Sequence, residues 1–248
     1  MSIAEFTTTF SPTTTAALRR PRSTQLDRAA KGAVLGAVAA VPPITALHLS
    51  ATDPIEPSGW TISDYVVSLP QGTLLFALTT GALAVGAAAL VNGLGPIPGT
   101  RGIRVLLILW ASALIVAAVF PTNLRGTPQN ASSDIHLYAG AVVFAALPAA
   151  AALLARWLHR TAEQSDDPAR RTAHRAAAVL RVAAAVAGLL SAALITNRLP
   201  GVIGMPELML PPGILQRVAG AAQIVLLAMS AIALLRSGRR PTRTASSR

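Results

Sequence analysis

The sequence predicts an all-α polytopic membrane protein with six transmembrane helices, paired as three helical hairpins. Three observations carry that prediction. Of 248 residues, 52% are hydrophobic and only 12% are charged, about half the charged share of a soluble domain. The charge is absent from long blocks, and six of those blocks approach the roughly 20 residues that cross a bilayer as a helix. None of the six alternates as a strand does, and all are rich in Ala and Leu. Helices satisfy their own backbone in lipid, so helices are the natural reading.

Residues 1–27 are rich in Thr, Ser, Pro and Arg and hold no apolar run. They predict a disordered cytoplasmic tail. The first apolar block, 29–50, lacks a convincing Ala-x-Ala cleavage pattern and reads as a retained helix rather than a signal peptide. Pro42-Pro43 should kink it. The next blocks lie at 72–92, 102–120, 134–156, 174–196 and 214–235, with Pro148 bending the fourth. The transmembrane domain is thus 28–236, followed by a basic cytoplasmic tail at 237–248.

The arginines set the predicted orientation. With the N-terminus cytoplasmic, the inner segments hold Arg19, Arg20, Arg22, Arg28 and Lys31, then Arg101 and Arg104. They also hold six arginines from Arg156 to Arg181 and five from Arg236 to Arg248, making 18 of the 21 basic residues. The outer segments keep Arg125, Arg198 and Arg217. Such a bias over short loops predicts a plasma-membrane protein with both termini cytoplasmic. It also accounts for a net charge of +11 without nucleic acid, which needs a basic face rather than basic flanks. The outer segments carry Asp53, Glu56, Asp64, Asp134 and Glu207, with Trp60, Tyr65 and Tyr138 as interfacial anchors. No cysteine is present, so disulfides, thiolate metal sites and a cysteine nucleophile are excluded.

The chain echoes itself at an offset of 70 residues. Thr52-Asp53 and Ser63-Asp64 flank the first outer loop as Thr122-Asn123 and Ser133-Asp134 flank the second, and Thr196-Asn197 stands at the matching helix end of the third hairpin. The pattern fits an internal repeat. Ordinary caps account for it more simply, because Ser and Asp start helices and Asn or Asp ends them.

The polar residues gather at the outer loops. The second, fourth and sixth helices begin there, and helix N-termini favour anions. Arg217 lies in the first turn of the sixth helix, with Gln216, Gly220 and Gln223 on one face below it. Asp134 and Tyr138 share one face of the fourth helix. His136 heads another face, above Gly140 and Phe144. Thr45 and His48 end the first helix. These ends predict a pocket for a lipid headgroup, a small polar metabolite or a peptide terminus. As plain structural elements, the same residues are solvated caps, with Arg217 pairing Asp134.

Other chemistries have less support. His48 and His136 with Asp64 or Asp134 are too few for a zinc centre with its usual ligand spacing, and haem between the two histidines has no motif behind it. Neither metal nor cofactor is predicted. Ser63-Asp64 and Ser133-Asp134 fit capping, and no nucleophile elbow or phosphate-binding fingerprint occurs. The second, third and fifth helices hold only Thr79, Thr80, Ser112 and Ser191 as polar residues at mid-membrane. An ion-coupled pump normally needs charge there.

Phe120-Pro121-Thr122-Asn123, a Gly and Pro loop, then Asp134-Ile135-His136-Leu137 resembles a bacterial and archaeal six-helix membrane family. That family is catalogued as domain of unknown function nine-nine-eight. Ile62-Ser63-Asp64-Tyr65 is similar to its segment before the second helix, and Gly213-Ile214-Leu215-Gln216-Arg217 to its entry into the sixth. The resemblance covers about 30–235. It implies six helices and an outer polar cluster of Asp64, His136 and Arg217, but no reaction. Asn123 stands where the family usually has Asp, so no acid role carries over to it.

The ligand-binding residues predicted are Asp64, Asp134, His136, Arg217, Tyr138, Gln216 and Asn123. The function predicted is binding of a lipid headgroup or small amphiphile, in an accessory, envelope or self-protection role, with membrane lipids as partners. In that reading Arg217 and the helix ends hold an anionic group, while Asp64 and His136 orient it. Two alternatives stand beside it. One is an intramembrane enzyme on a lipid or isoprenoid, with His136 as acid or base and Asp64 or Asp134 fixing its tautomer. The other is a small exporter.

Overall fold

The computed structural model describes residues 20–50, 58–95, 97–124, 126–164, 170–203 and 210–238. Among these residues the fold is all-helical, with no strand. Among them, six helical spans are long and apolar enough to cross a membrane: Thr24–Leu49, Gly72–Leu94, Arg101–Val119, Ala131–Glu163, Arg170–Asn197 and Pro212–Ser237. The protein is a multi-pass membrane protein. Both predicted tails lie largely outside the described residues, as do Asp53, Glu56, Arg125 and Glu207.

The first span is two helices, α1 (Arg20–Ala39) and α2 (Val41–Leu49). Ala40 is a turn between them, and Pro42-Pro43 fall in the first turn of α2. There a missing N–H removes no helical hydrogen bond, so the predicted kink is a break. α1 starts at Arg20, well before residue 29, with Pro21 in its own first turn. The apolar pattern marks only the part of a helix that meets lipid or core; the polar turns before it carry no such mark.

The remaining elements are α3 (Ile62–Ser68), α4 (Gly72–Leu94), α5 (Arg101–Val119), α6 (Ala131–Glu163), α7 (Arg170–Ile203) and α8 (Pro212–Gly238). Each spanning helix packs on the next in sequence, and α8 closes the ring against α1. α6 also touches α8 across the ring. The short connections enforce this order, because a hairpin loop brings only antiparallel neighbours together.

The α1–α4 seam is built from small residues. A Cβ on Gly36 would stand 2.6 Å from Ala82 O and 2.8 Å from Gly86 Cα. Backbones meet this closely only where side chains are absent, which is how membrane helices gain packing contacts without a hydrophobic driving force. The interior is Leu and Ala around a fully buried Trp110. Large apolar side chains also cover the outside, with Leu189 72% and Val85 68% exposed. A surface so extensively apolar suits hydrocarbon rather than water.

One end of the ring carries the start of α1 and the end of α8. The other carries α3, the 120–130 connection and the residues leading into α8. A smaller apolar cluster of Leu47, Ile62, Tyr65 and Val66 fastens α3 to that end. Gly72 makes the fit possible, since a Cβ there would lie 2.5 Å from Tyr65 O.

Candidate ligand-binding site

α3 is short, and its start is held by a capping box. The Asp64 carboxylate accepts from Thr61 N at 2.7 Å and Thr61 Oγ1 at 2.8 Å, while Asp64 N donates back to Thr61 Oγ1 at 3.3 Å. α6 starts with a second box, Asn130 with Ser133. The caps are Thr61 and Asn130, not Ser63 and Ser133, and the two boxes lie 69 positions apart rather than 70. The one-residue difference aligns Asp64 with Ser133 in role, and leaves Asp134 outside the cap.

This start points Ser63 at His136. His136 is buried on α6. Its Nδ1 lies 2.9 Å from both Ala117 O and Phe120 O, at the end of α5. Carbonyls only accept, so Nδ1 carries the hydrogen. The neutral ring then has a lone pair on Nε2, and Ser63 Oγ–H donates to it at 2.9 Å. The imidazole thus serves carbonyls that a helix C-terminus leaves without intrahelical partners. It joins α3, α5 and α6 at one point.

Gln216, from the first turns of α8, completes the group. Ile62 N donates to its Oε1 at 2.6 Å, which fixes the amide so that Nε2 faces Ser63 Oγ at 3.5 Å. Next to it, Arg217 Nη1 donates to Trp60 O at 2.8 Å, and the guanidinium lies 4.9 Å from the centre of the Tyr65 ring. His48 meets the same ring edge-on at 5.9 Å.

Two cavities meet at this group. One, of about 400 Å³, is an apolar chamber inside the ring, walled by residues such as Leu83, Trp110, Leu114 and Val143. The other, of about 560 Å³, is a more polar mouth lined by Asp64, Thr122, Asn123, Gln129 and Tyr138 among others. Ser63, His136, Gln216, Gly140 and Phe144 line both. The Trp110 indole Nε1 and the Gln223 Oε1, both buried on chamber-lining residues, make no hydrogen bond. An unmet polar group in such a place costs about 1–3 kcal/mol.

The structure brings His136 and Gln216 together and sets Arg217 beside them, on the chamber side. Asp64, Asn123 and Tyr138 border the mouth, where Asn123 Nδ2 donates to Pro128 O and Tyr138 is 65% exposed. Asp134 is exposed and lines neither cavity. No group of three or more metal-ligating side chains occurs among the described residues.

The family model described as "Protein of unknown function (DUF998)" matches residues 34–233. The chain belongs to this family. No curated protein and no solved structure gives a significant match to it. The matched span of this DUF998 protein runs from α1 through α8 and includes Ser63, His136, Gln216 and Arg217. In the sequence of this DUF998 chain Ser63 reads only as a cap. The roles of Ala117 O and Phe120 O are not legible there, because a backbone carbonyl leaves no mark in a sequence. The Ile62-Ser63-Asp64-Tyr65 stretch was the one available signal for α3, and its partner His136 is 73 positions away.

Proposed function

We propose that this integral membrane protein binds an amphiphile at the α3 end, with its apolar chain in the chamber and its polar headgroup in the mouth. The observation that carries this reading is the junction itself. An apolar and a polar cavity share one wall built from Ser63, His136 and Gln216, and each has the size of a ligand pocket. The unmet Trp110 and Gln223 atoms support occupation of the chamber. The mouth offers a carboxylate at Asp64 with amide and hydroxyl groups, and Arg217 adds positive charge below it. A headgroup that both donates and accepts suits this lining. The arginine bias supports a plasma-membrane orientation with both termini cytoplasmic and the mouth outward.

Native mass spectrometry with lipid analysis tests the reading, on wild type beside Gly140→Leu and Arg217→Ala. A Cβ on Gly140 meets nothing within 4 Å, so a leucine there fills the junction without disturbing the backbone. A specific amphiphile on wild type that is lost from Gly140→Leu is the expected result. The same unselective lipids on all three proteins would remove the reading.

A further inference from the structure

The amphiphile-binding reading assigns a place to the molecule but no task to the Ser63–His136 pair. We propose that Ser63 is a nucleophile activated by His136, acting on the ester of an amphiphile held across the junction. The inference rests on the binding reading for its substrate and on separate geometry for its chemistry.

That geometry has three parts. Ser63 Oγ donates to His136 Nε2 at 2.9 Å, within the reach required between a nucleophile and its base. His136 Nδ1 is held by two carbonyls at 2.9 Å, which fixes the tautomer that leaves Nε2 basic. They also accept from the second N–H of the imidazolium that forms, the role an orienting third group plays in hydroxyl activation. Gln216 Nε2 faces Ser63 Oγ at 3.5 Å with its orientation fixed by Ile62 N. An amide N–H there is placed to donate to the carbonyl oxygen of a bound ester as negative charge builds on it. Capping does not explain the arrangement, since Thr61 and Asp64 already cap α3.

The reaction closes on these residues and water. Ser63 Oγ adds to the ester carbonyl carbon while its proton passes to His136 Nε2. The tetrahedral intermediate collapses, its bond to the leaving oxygen breaks, and His136 returns the proton to that oxygen, releasing an alcohol. The acyl group remains on Ser63 Oγ. A water entering from the mouth then attacks the acyl carbon and gives its proton to His136 Nε2. The bond to Ser63 breaks, His136 reprotonates Oγ, and a carboxylic acid leaves. An ester lying between headgroup and chain is the group that the junction would present to Ser63.

The test uses the full-length protein in lipid nanodiscs and dodecyl fluorophosphonate, which phosphonylates activated serines. Peptide mass spectrometry locates the adduct. Binding of a nitrobenzoxadiazole-labelled lysophospholipid is measured in parallel on wild type, Ser63→Ala and His136→Gln. The expected result is an adduct at Ser63 of folded wild type on the order of 10²-fold above denatured protein. Ser63→Ala loses the adduct, and His136→Gln loses at least about 10-fold in labelling rate. Binding without a Ser63 adduct in folded wild type overturns the nucleophile and leaves the binding reading standing. Neither binding nor adduct overturns both. An adduct that forms equally fast in a folded His136→Gln protein overturns the role of the histidine. Comparison of folded with denatured wild type decides the main point even if His136→Gln does not fold.

Discussion

Pro148 on α6 and Gln223 on α8 are complementary. The proline has no N–H for the carbonyl four residues before it, that of Phe144, and Gln223 Nε2 stands 3.5 Å from that oxygen. Gln223 also donates to Ser191 Oγ of α7 at 3.3 Å. One side chain therefore joins three helices beside the chamber and covers a gap in the α6 ladder. Interhelical hydrogen bonds of this kind contribute about 0.6–2 kcal/mol in membrane proteins. Gln223→Leu should lower stability to unfolding in detergent by about 1 kcal/mol. In a Pro148→Ala background, where Phe144 O regains a backbone partner, the loss should be smaller. A double-mutant cycle that comes out additive would show the two residues to be independent.

The α1–α4 seam predicts opposite outcomes at two glycines of similar local sequence. Gly36→Leu forces a Cβ against Gly86 Cα and Ala82 O and should cost several kcal/mol, on the order of the larger overpacking penalties. Gly81→Ala adds a Cβ where nothing lies within 4 Å, and helix propensity favours alanine by about 1 kcal/mol. Thermal unfolding of both variants in detergent measures the contrast. Equal loss at both positions would count against the seam.

The tautomer of His136 is open to direct observation. With the imidazole neutral, nitrogen NMR should show Nδ1 protonated and Nε2 carrying the lone pair. The reverse pattern would mean that Ser63 accepts from the ring, which removes the base from the proposed nucleophile. His136→Ala should also destabilise the fold, because it frees the α5 carbonyls, by about 1–3 kcal/mol.

The opposite end of the ring holds a second histidine pair. His174 Nδ1 lies 3.0 Å from His159 Nδ1, Arg170 Nε donates to His174 Nε2 at 3.3 Å, and His159 Nε2 is 3.3 Å from Glu163 Oε1. Only one assignment of hydrogens satisfies all three contacts. Arg170 donates to His174, His174 donates from Nδ1 to His159, and His159 donates from Nε2 to Glu163. The chain ties α6 to α7 across their connection. Because these groups are partly exposed at the helix ends, the coupling between His159→Ala and His174→Ala should be below about 1 kcal/mol. It should vanish when Arg170→Met or Glu163→Gln breaks the order of donors. Coupling unchanged by either substitution would mean that the rings merely pack.

Topology can be read chemically because the chain has no cysteine. In intact cells a membrane-impermeant maleimide should label Thr127→Cys, in the mouth, and leave Ser237→Cys untouched until the membrane is opened. The opposite pattern would invert the orientation and turn the mouth toward the cytoplasm.

The six spans were legible because each depends on a local quantity, the length and apolarity of one block. An interruption of the first span near Pro42-Pro43 was legible for a similar reason, since the prolines act on their own helix, but that it is a full break at Ala40 was not. The start of α1 at Arg20 was not, because polar helical turns beyond an apolar block look like tail. α3 shows the same limit: seven residues, half polar, carry too little periodicity to mark a helix. Among the site residues, His136, Gln216 and Arg217 could be picked out as polar groups heading faces of otherwise apolar helices. Ser63 could not be separated from a cap, because Thr61, Ser63 and Asp64 are all good capping residues. Only the geometry shows which two form the box.

Membrane class, six helices and belonging to the DUF998 family follow from the sequence alone, because hydropathy and short motifs are properties of contiguous residues. The partners of each polar side chain were decided by tertiary structure. Asp64 turns back to Thr61, Ser63 reaches His136, and Gln216 crosses from α8 to the start of α3. Those pairings depend on how the ring closes and how deeply α3 settles on Gly72. A chain this uniform in Ala, Leu and Val says which residues are apolar, but not which faces meet. The two cavities are what remains where those faces do not fill the space.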